Sequence, residues 1–312
     1  MIRGTTAIYG IYTLTQLHVG TGQATGAVDL PIAREQYTGF PIIPATAIKG
    51  VLRDILEKQD DTKKINDFLG PNSDEQEDIH AGGLIFTEAQ TIAIPFRSIN
   101  TPFFFVTCPL LLERLDRNIR TFGLEKLISI GDYLKVFKDD TNKAYVSNKE
   151  FDSQTLVIED MVFSSSNISF KKEIRGLLND LKKLLPTEEE NTERYFSEHF
   201  VIIPNNDFSS LVSRALPVNA RIKLTGGKTA SDWINPETGK KEKGNLWYEE
   251  VVPSDSLFSF FVMNRPGIEP NKDLVQEFER FLTEKNIDIS TIQIGGNETV
   301  GYGWCWLTGL FS

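Results

Sequence analysis

The sequence has little of what builds disulfide frameworks or zinc sites. Two cysteines cannot form a multi-bridge framework, and three histidines scattered through the chain disfavour a zinc site built from histidines. The histidines are His18, His80 and His199. We therefore expect a protein of a reducing compartment that is stabilised by its hydrophobic core.

Long apolar runs are also absent. The longest uninterrupted apolar stretches, such as 103–106 and 110–112, are far shorter than the roughly 20 residues that a membrane-spanning helix needs. The first residues lack the apolar segment of a secretory signal. We expect a globular, cytoplasmic protein without a membrane partner.

Positive charge is in deficit. Lysine and arginine number 33 against 43 acidic residues, which gives a net charge of -10. Taken alone, this balance disfavours a nucleic-acid partner, because phosphate contacts require basic side chains. Many acids, however, lie in runs at 74–78 and 188–190, which are typical of solvated loops, whereas the segment from His18 to Arg53 is close to neutral. The sequence therefore predicts a locally positive groove on an acidic body.

Strand and helix patterns are mixed along the chain, which predicts an α+β fold. Aromatic and β-branched residues at 6–19 predict a first strand that runs into a glycine-rich turn. Apolar residues at helical spacing after Thr46, the predicted N-cap, indicate the first helix. Further strands are predicted at 83–86, 91–96, 291–294 and 300–308, and further helices at 110–119, 174–181 and 274–282.

The pattern is compatible with a single domain, 1–312, carrying three insertions. The polar, acidic segment 59–83 is expected to form a surface loop, and 139–200 is expected to be a helical insertion. The segment 226–246 is typical of a long exposed hairpin, because glycines, a proline and three lysines lie between strand-like runs. Within it, Trp233 is either a stacking face or a core residue.

Two glycine-rich segments lie near opposite ends of the chain. Glycine lets another chain approach the backbone closely, so that exposed amides can donate to phosphate or base oxygens. The residues of interest in these segments are Gly20, Gly22, Asp29, Gly295, Gly296 and Asn297. A dinucleotide-binding turn is disfavoured by context, since Ala-Val-Asp-Leu-Pro rather than a helix follows the first glycines.

Lys49 and Arg53 lie four residues apart in the first predicted helix and therefore share one face. This spacing suits two successive phosphates, and it equally suits an ordinary solvated face. Together with the glycine-rich turns, the pair favours a cradle for a polyanion.

Several motifs occur in order along most of the chain. They are His18-Val-Gly-Thr-Gly, Val28-Asp-Leu-Pro-Ile, Arg34-Glu, Thr38-Gly-Phe-Pro, Ile48-Lys-Gly-Val-Leu-Arg, Pro95-Phe-Arg-Ser, Val106-Thr-Cys-Pro and Gly295-Gly-Asn-Glu-Thr-Val-Gly-Tyr-Gly. This series resembles the RAMP superfamily of CRISPR RNA-binding proteins, and most closely the multi-copy backbone subunit of the type III-B (Cmr) effector complex.

The resemblance implies a ferredoxin-like, RNA-recognition-type sheet with large insertions and a protruding, thumb-like hairpin. In the family, the thumb of each copy presses on the guide and target strands and flips out a nucleotide. We assign the thumb to 226–246, with 151–169 as the alternative. The implied partners are guide CRISPR RNA, complementary target RNA, other copies of the chain in a filament, and the other Cmr subunits.

The resemblance also implies endoribonuclease activity within the assembled complex. In the family, the acid of the VDLP motif is required for cutting target RNA, which places that role on Asp29; the alternative is an Asx-turn that shapes the loop. RNA can be cut with its own 2′-hydroxyl as nucleophile, so the protein mostly supplies geometry. A free aspartate, with a pKa of about 3.9, is a poor base for a hydroxyl, and Asp29 is therefore expected to hold a divalent cation, Mg²⁺ or Mn²⁺.

Other residues join the predicted site. His18 is a candidate acid, base or phosphate contact, with a backbone-bonded turn residue as the alternative, and Tyr248 and Glu249 are further catalytic candidates. The candidate RNA-binding residues are Gly20, Gly22, Arg34, Lys49, Arg53, Arg97, Gly295, Gly296 and Asn297. An ion pair is the alternative role for the arginine beside Glu35. Two other functions stay open, a non-catalytic RNA-binding structural subunit and the related type III-A backbone subunit.

Overall fold

The first strand, β1 (Thr6–Thr13), lies inside a large mixed sheet and is buried along its whole length. The computed structural model describes residues 5–24, 26–59, 61–72, 80–137, 143–186, 189–267 and 273–312. The later strands are β2 (Ile42–Ile43), β3 (Leu84–Phe86), β4 (Ala89–Arg97), β5 (Phe103–Thr107), β6 (Ala144–Val146), β7 (Leu156–Ile158), β8 (Met161–Phe163), β9 (Ile168–Phe170), β10 (Phe200–Ile202), β11 (Val218–Lys223), β12 (Trp233–Ile234), β13 (Lys241–Glu242), β14 (Asn245–Glu250), β15 (Leu257–Asn264), β16 (Thr291–Gln293) and β17 (Trp304–Phe311). The α-helices are α1 (Ala45–Leu56), α2 (Thr62–Leu69), α3 (Pro109–Thr121), α4 (Gly131–Leu134), α5 (Glu173–Leu181), α6 (Glu190–Glu198), α7 (Asn205–Arg214) and α8 (Leu274–Glu284).

The sheet places the two ends of the chain side by side. Its strand order is β16-β17-β1-β15-β4-β5-β10-β6-β9, with β2 added to β4 and β3 added to β15. β1 is antiparallel to both of its neighbours, so that Ile8 lies opposite Phe261 of β15 and Leu310 of β17. The β5–β10 and β6–β9 pairs are parallel. This order brings the glycine-rich segments that follow β1 and β16 to the same end of the sheet.

Helices cover both faces of the sheet. Successive β1 side chains point to opposite faces, and since all of them are buried, both faces need a covering layer. Ala7, Tyr9 and Ile11 join a core that includes Ile48 of α1, and helices α2, α7 and α8 pack on the same side. Ile8 and Tyr12 join a second core, to which α3, α5 and α6 contribute. The α+β prediction is confirmed.

The helices at 110–119, 174–181 and 274–282 are confirmed as α3, α5 and α8. The first strand, however, ends at Thr13 rather than Val19, because Leu14 and Leu17 bond to Trp304 and Val252 instead of extending the ladder. Thr46 lies inside α1, whose N-cap is Pro44 without a side-chain cap. The last strand begins at Trp304, since a 3₁₀ turn occupies Glu298–Val300.

The segment 59–83 is not a loop throughout. It contains α2, whose Ile65, Phe68 and Leu69 are buried, so a local apolar face outweighed the polar composition. The acidic run at 74–78 lies outside the described residues. The segment 139–200 contains α5 and α6, and it also contains β6 and β9, which extend the main sheet.

A two-stranded ribbon, 218–250, carries the segment 226–246. β11 pairs along its length with β14, and the short β12–β13 pair lies between them in the chain. At its end β14 also forms a parallel bridge with Leu30, through Glu249. Trp233 is half-buried, and a Cβ on Gly227 would lie 2.5 Å from its ring. The segment 151–169 instead packs on the body, since Leu156, Phe163 and Ile168 are buried. Across the part of the chain that is described, no helix has the length and apolarity to cross a membrane.

Candidate functional site

The candidate site is assembled around the end of β14, where three consecutive residues each bind a different segment. The first, Tyr248, holds the loop that carries Asp29. Its amide donates to Asp29 Oδ2 at 2.8 Å, and its carbonyl accepts from the amides of Asp29 and Leu30, each at 3.1 Å. The predicted catalytic acid is therefore fixed to the ribbon by backbone as well as side-chain bonds.

The second residue, Glu249, is only 3% exposed and joins three parts of the site. Its Oε2 accepts from Arg221 Nε of β11 at 2.9 Å, and its Oε1 accepts from Asn297 Nδ2 at 2.6 Å. His18 Nε2 lies 3.6 Å from Oε1. A buried carboxylate requires such donors, because an unpaired charge away from water is costly.

The third residue, Glu250, binds Arg34. Arg34 Nη2 donates to Glu250 Oε1 at 2.5 Å and to the Val212 carbonyl at 2.8 Å, and Nη1 donates to the Gly39 carbonyl at 2.6 Å. The Ile32 amide donates to Glu250 Oε2 at 3.1 Å. The ion pair considered for Arg34 is therefore present, and its partner is Glu250.

His18 lies between the two glycine-rich segments and is buried. Its Nδ1 is 2.7 Å from the Glu250 carbonyl, and since a carbonyl oxygen only accepts, Nδ1 carries the proton. The Gly296 amide donates to the His18 carbonyl at 2.9 Å. A Cβ on Gly20 would lie 2.6 Å from His18 Nε2, and one on Gly295 would lie 2.3 Å from the His18 oxygen. The close approach predicted for these glycines is thus made by His18 of the same chain.

Arg221 completes the cluster. Its guanidinium carbon lies 4.5 Å from the centre of the Tyr302 ring, an arrangement that favours a cation–π contact. Its Nη2 is buried and has no hydrogen-bond partner among the described residues. Tyr302 in turn accepts from Asn219 Nδ2 at 2.9 Å. Both strands of the ribbon are therefore tied to the glycine-rich tail.

Three predicted RNA-binding side chains lie elsewhere. Lys49 is half-buried, 5.9 Å from the Phe86 ring, and burial together with the neighbouring charge of Arg53 lowers its pKa. Arg53 donates to the Gly70 carbonyl, to Glu57 and to Asn66. Arg97 is 82% exposed and pairs with Glu159 at 2.5 Å. Among the described residues, none of the three bonds to the cluster around β14.

An open cleft of about 360 Å³ lies beside Asp29. Its lining residues are Gln23, Ala24, Asp29, Leu30, Asn245, Leu246 and Trp247. Asp29 is the charged side chain in this lining, and it is half-buried. Gly22 is exposed, with no atom within 4 Å of the place a Cβ would take. The cleft can therefore take a ligand that places one polar group against a carboxylate and its other surfaces against a mixed lining, in which Leu246 and Trp247 are apolar and Asn245 is polar.

The RAMP superfamily model matches residues 10–306. The chain belongs to the RAMP superfamily. It is 32% identical over 306 residues to the CRISPR system Cmr endoribonuclease Cmr4 of Pyrococcus furiosus, covering 96% of this chain and 94% of the relative.

Solved structures share the fold. The crystal structure of oligomeric Cmr4 from Pyrococcus furiosus matches with a TM-score of 0.69 at 25% identity, over 99% of each chain. A chain of the type III-B Cmr-beta complex bound to cognate target RNA matches with a TM-score of 0.73 over 97% of this chain and 96% of that one. Its identity is 18%, so this likeness concerns the fold alone. The RAMP resemblance and the RAMP α+β fold are confirmed.

The residues of this RAMP protein do not form a cage for a cation. Within the described ranges, no group of three or more histidine, cysteine, aspartate or glutamate side chains is placed to hold a metal ion. Asp29 Oδ2 already accepts a hydrogen bond. A cation at Asp29 would fit only as Mg²⁺ commonly does, with one carboxylate oxygen from the protein and the remaining ligands from water and phosphate.

Sequence reasoning missed Glu250, Arg221 and Tyr302. Glu250 follows the predicted Glu249 directly, and two adjacent acids at the end of an apolar strand are a signal that one of them is buried and paired. Arg221 and Tyr302 carry no such local signal, because their partners lie tens of residues away in the chain.

Proposed function

We propose that this chain is the backbone subunit of a type III-B Cmr complex, which binds guide RNA along a filament and cleaves complementary target RNA. The observation that carries the proposal is the fixed carboxylate of Asp29 at an open cleft, in a chain 32% identical to a Cmr endoribonuclease. The proposed partners are guide RNA, target RNA, further copies of the chain and the other Cmr subunits. The oligomeric state described for the Pyrococcus furiosus structure supports the filament.

In the proposed reaction, the 2′-hydroxyl of a displaced target nucleotide gives its proton to water and attacks the adjacent phosphate in line with the 5′-oxygen. The bond from phosphorus to the 5′-oxygen breaks, that oxygen takes a proton from water, and a 2′,3′-cyclic phosphate remains. The chain contributes mainly position. The Tyr248 amide orients the Asp29 carboxylate, and Leu246 and Trp247 form a wall against which the displaced nucleotide packs. A divalent cation bound at Asp29 would stabilise the charge that develops on the phosphate.

His18 and Glu249 have supporting roles in this proposal. Both side chains are buried, and each is bonded within the chain. We assign them to holding the β14 end and the glycine-rich tail together. Asp29, by contrast, is assigned to the contact with RNA, and the half-exposed Tyr248 ring to a neighbouring contact.

The proposed phosphate contacts are Gly22, Lys49 and Arg97. Gly22 and Arg97 are exposed and Lys49 is half-buried, so each leaves an amide or a charged group within reach of a strand. The other candidates act less directly. They already donate hydrogen bonds to partners inside the chain, as the side chains of Arg34, Arg53 and Asn297 show.

Target-RNA cleavage by the assembled guide complex tests the proposal. Native chain, Asp29→Ala and the exposed control Asp132→Ala are compared with and without Mg²⁺ or Mn²⁺. We expect regularly spaced cuts from the native chain and the control, dependent on the cation, and none from Asp29→Ala, although Asp29→Ala should still bind RNA through the other contacts. Cuts by Asp29→Ala at the native rate would place the chemistry elsewhere.

A second candidate function is a non-catalytic RNA-binding subunit. The bond from the Tyr248 amide favours it, because an acid that only shapes its loop would make the same contact. A native complex that binds target RNA and makes no cuts under any cation would select this function.

A further inference from the structure

The turn 35–40 displays an aromatic ring to solvent. Tyr37 is 76% exposed. The turn beneath it is closed by two backbone bonds, from the Gly39 amide to the Glu35 carbonyl and from the Glu35 amide to the Phe40 carbonyl, both at 2.8 Å. Arg34 Nη1 also donates to the Gly39 carbonyl at 2.6 Å. The ring therefore projects from a closed, well-bonded turn.

Arg114 of α3 supports the ring from one side. Its guanidinium carbon lies 5.2 Å from the ring centre. Arg114 Nη1 donates to Glu35 Oε2 at 2.8 Å, and its side chain is only 11% exposed. The Thr38 hydroxyl donates to the same carboxylate oxygen. Because the cation is fixed by a buried carboxylate, the ring has a fixed cation on one side while most of its surface stays open to solvent.

The surroundings of Tyr37 are polar. Gln36 is exposed and Thr38 half-exposed. A hydrogen bond to Glu35 raises the pKa of the Tyr37 phenol, against the opposing charge of Arg114. The exposed neighbour Gln36 is polar, so the turn does not present the contiguous apolar patch that is typical of a protein-binding site. An isolated, cation-backed ring instead suits a flat, uncharged π surface.

The turn is attached to the candidate site. Arg34 bonds both to Gly39 of the turn and to Glu250, two residues beyond Tyr248 on the strand that holds Asp29. Tyr37 follows Asp29 by eight residues. Because an extended chain spans at most about 3.5 Å per residue, the two Cα atoms are no more than about 28 Å apart. This upper limit corresponds to about eight stacked nucleotides at about 3.4 Å each, so a bound strand of that length can reach both residues.

We propose that Tyr37, backed by Arg114, is a stacking platform for a nucleobase of the bound RNA. The inference rests on the proposed RNA-binding function. It adds a base contact outside the cleft to the proposed phosphate contacts and to the wall for the displaced nucleotide. Stacking of this kind tolerates any base, since every base has a π face.

The test compares RNA binding by Tyr37→Ala, Tyr37→Phe and the control Val162→Ala, which truncates another exposed apolar side chain, on β8. Dissociation constants are measured for labelled single-stranded RNA on the full-length chain and for target RNA on the assembled guide complex. We expect Tyr37→Ala to weaken at least one of these by roughly 5- to 100-fold, with Tyr37→Phe and the control within about twofold of native. RNA carrying 4-thiouridine should cross-link to the peptide containing Tyr37.

Three results would overturn the platform: native affinity of Tyr37→Ala for both RNAs, a loss of affinity in Tyr37→Phe equal to that in Tyr37→Ala, or bound 4-thiouridine RNA that does not cross-link to the peptide containing Tyr37. If the native chain binds RNA and Tyr37→Ala binds it equally well, only the stacking platform is overturned and the proposed RNA-binding function stands. A native chain and complex that bind no RNA would overturn both proposals.

Discussion

The Tyr248 amide donates to Asp29 Oδ2 at 2.8 Å, across 219 positions of sequence. The contact couples the orientation of the proposed catalytic acid to the ribbon, since Tyr248 lies in β14. A movement of the ribbon against RNA would therefore be transmitted to Asp29.

Replacement of Asp29 by asparagine separates its charge from its geometry. The asparagine oxygen still accepts from the Tyr248 amide, so Asp29→Asn should keep the free energy of unfolding within about 0.5 kcal/mol of native. Because the charge is lost, target cleavage should fall by about 100-fold or more. Asp29→Ala, which also loses the acceptor, should cost about 1 kcal/mol of stability. Native cleavage by Asp29→Asn would show that the charge is dispensable.

Gly295 and Gly301 form a matched pair, because their φ angles are 83° and 82°. Alanine at Gly301 meets no atom within 4 Å and should cost only the left-handed strain, about 1 kcal/mol. Alanine at Gly295 would place its Cβ 2.3 Å from the His18 carbonyl oxygen, which should add about 2 kcal/mol. Urea unfolding of both variants measures the difference. Equal destabilisation would mean that His18 moves aside freely.

Arg34 and Arg97 distinguish a structural arginine from an exposed one. Arg34→Ala removes three hydrogen-bond partners and leaves the buried Glu250 without its cation, which should cost about 2–3 kcal/mol. Arg97→Ala breaks an exposed ion pair and should cost less than about 1 kcal/mol. Arg97→Ala should nevertheless weaken RNA binding. Chemical denaturation and RNA titration of both variants check these outcomes, and a fully stable Arg34→Ala would contradict the first.

Asp273 makes the free energy of unfolding depend on pH. Burial raises the pKa of this carboxyl. Hydrogen bonds from the Thr5 amide at 2.7 Å and from Asn264 Nδ2 at 3.1 Å lower the pKa by more than burial raises it, so the net shift is downward. Stability contributed by a depressed pKa is present above the unfolded value, about 3.9, and is lost as pH falls through the lower folded value. Asp273→Asn should thus cost about 1 kcal/mol at pH 7, and the gap to native should close below pH 4.

The measurement for Asp273 is urea unfolding across this pH range. The exposed Asp54→Asn, on α1, is the control and should track the native protein throughout. A gap between native and Asp273→Asn that stays constant into acid would mean that Asp273 gains nothing from its charged form.

Local patterns predicted local structure. Helices α3, α5 and α8 follow from apolar residues at helical spacing, and the family follows from motifs in a fixed order. The helix α2 was missed because its buried face has only three residues within a polar segment. The end of β1 was misplaced because its length depends on where its neighbours in the sheet stop.

The sequence by itself determined the fold class, the family and the segments that carry the candidate site. Only the tertiary structure decided that Glu249 and Glu250 bind Arg221 and Arg34, that Gly20 and Gly295 enclose His18, and that Tyr37 stays outside on Arg114. Periodicity and propensity act over a few residues, whereas some of these contacts join β14 to residues more than 200 positions away in the sequence. Their partners are chosen by the order of strands in the sheet, which no local pattern encodes.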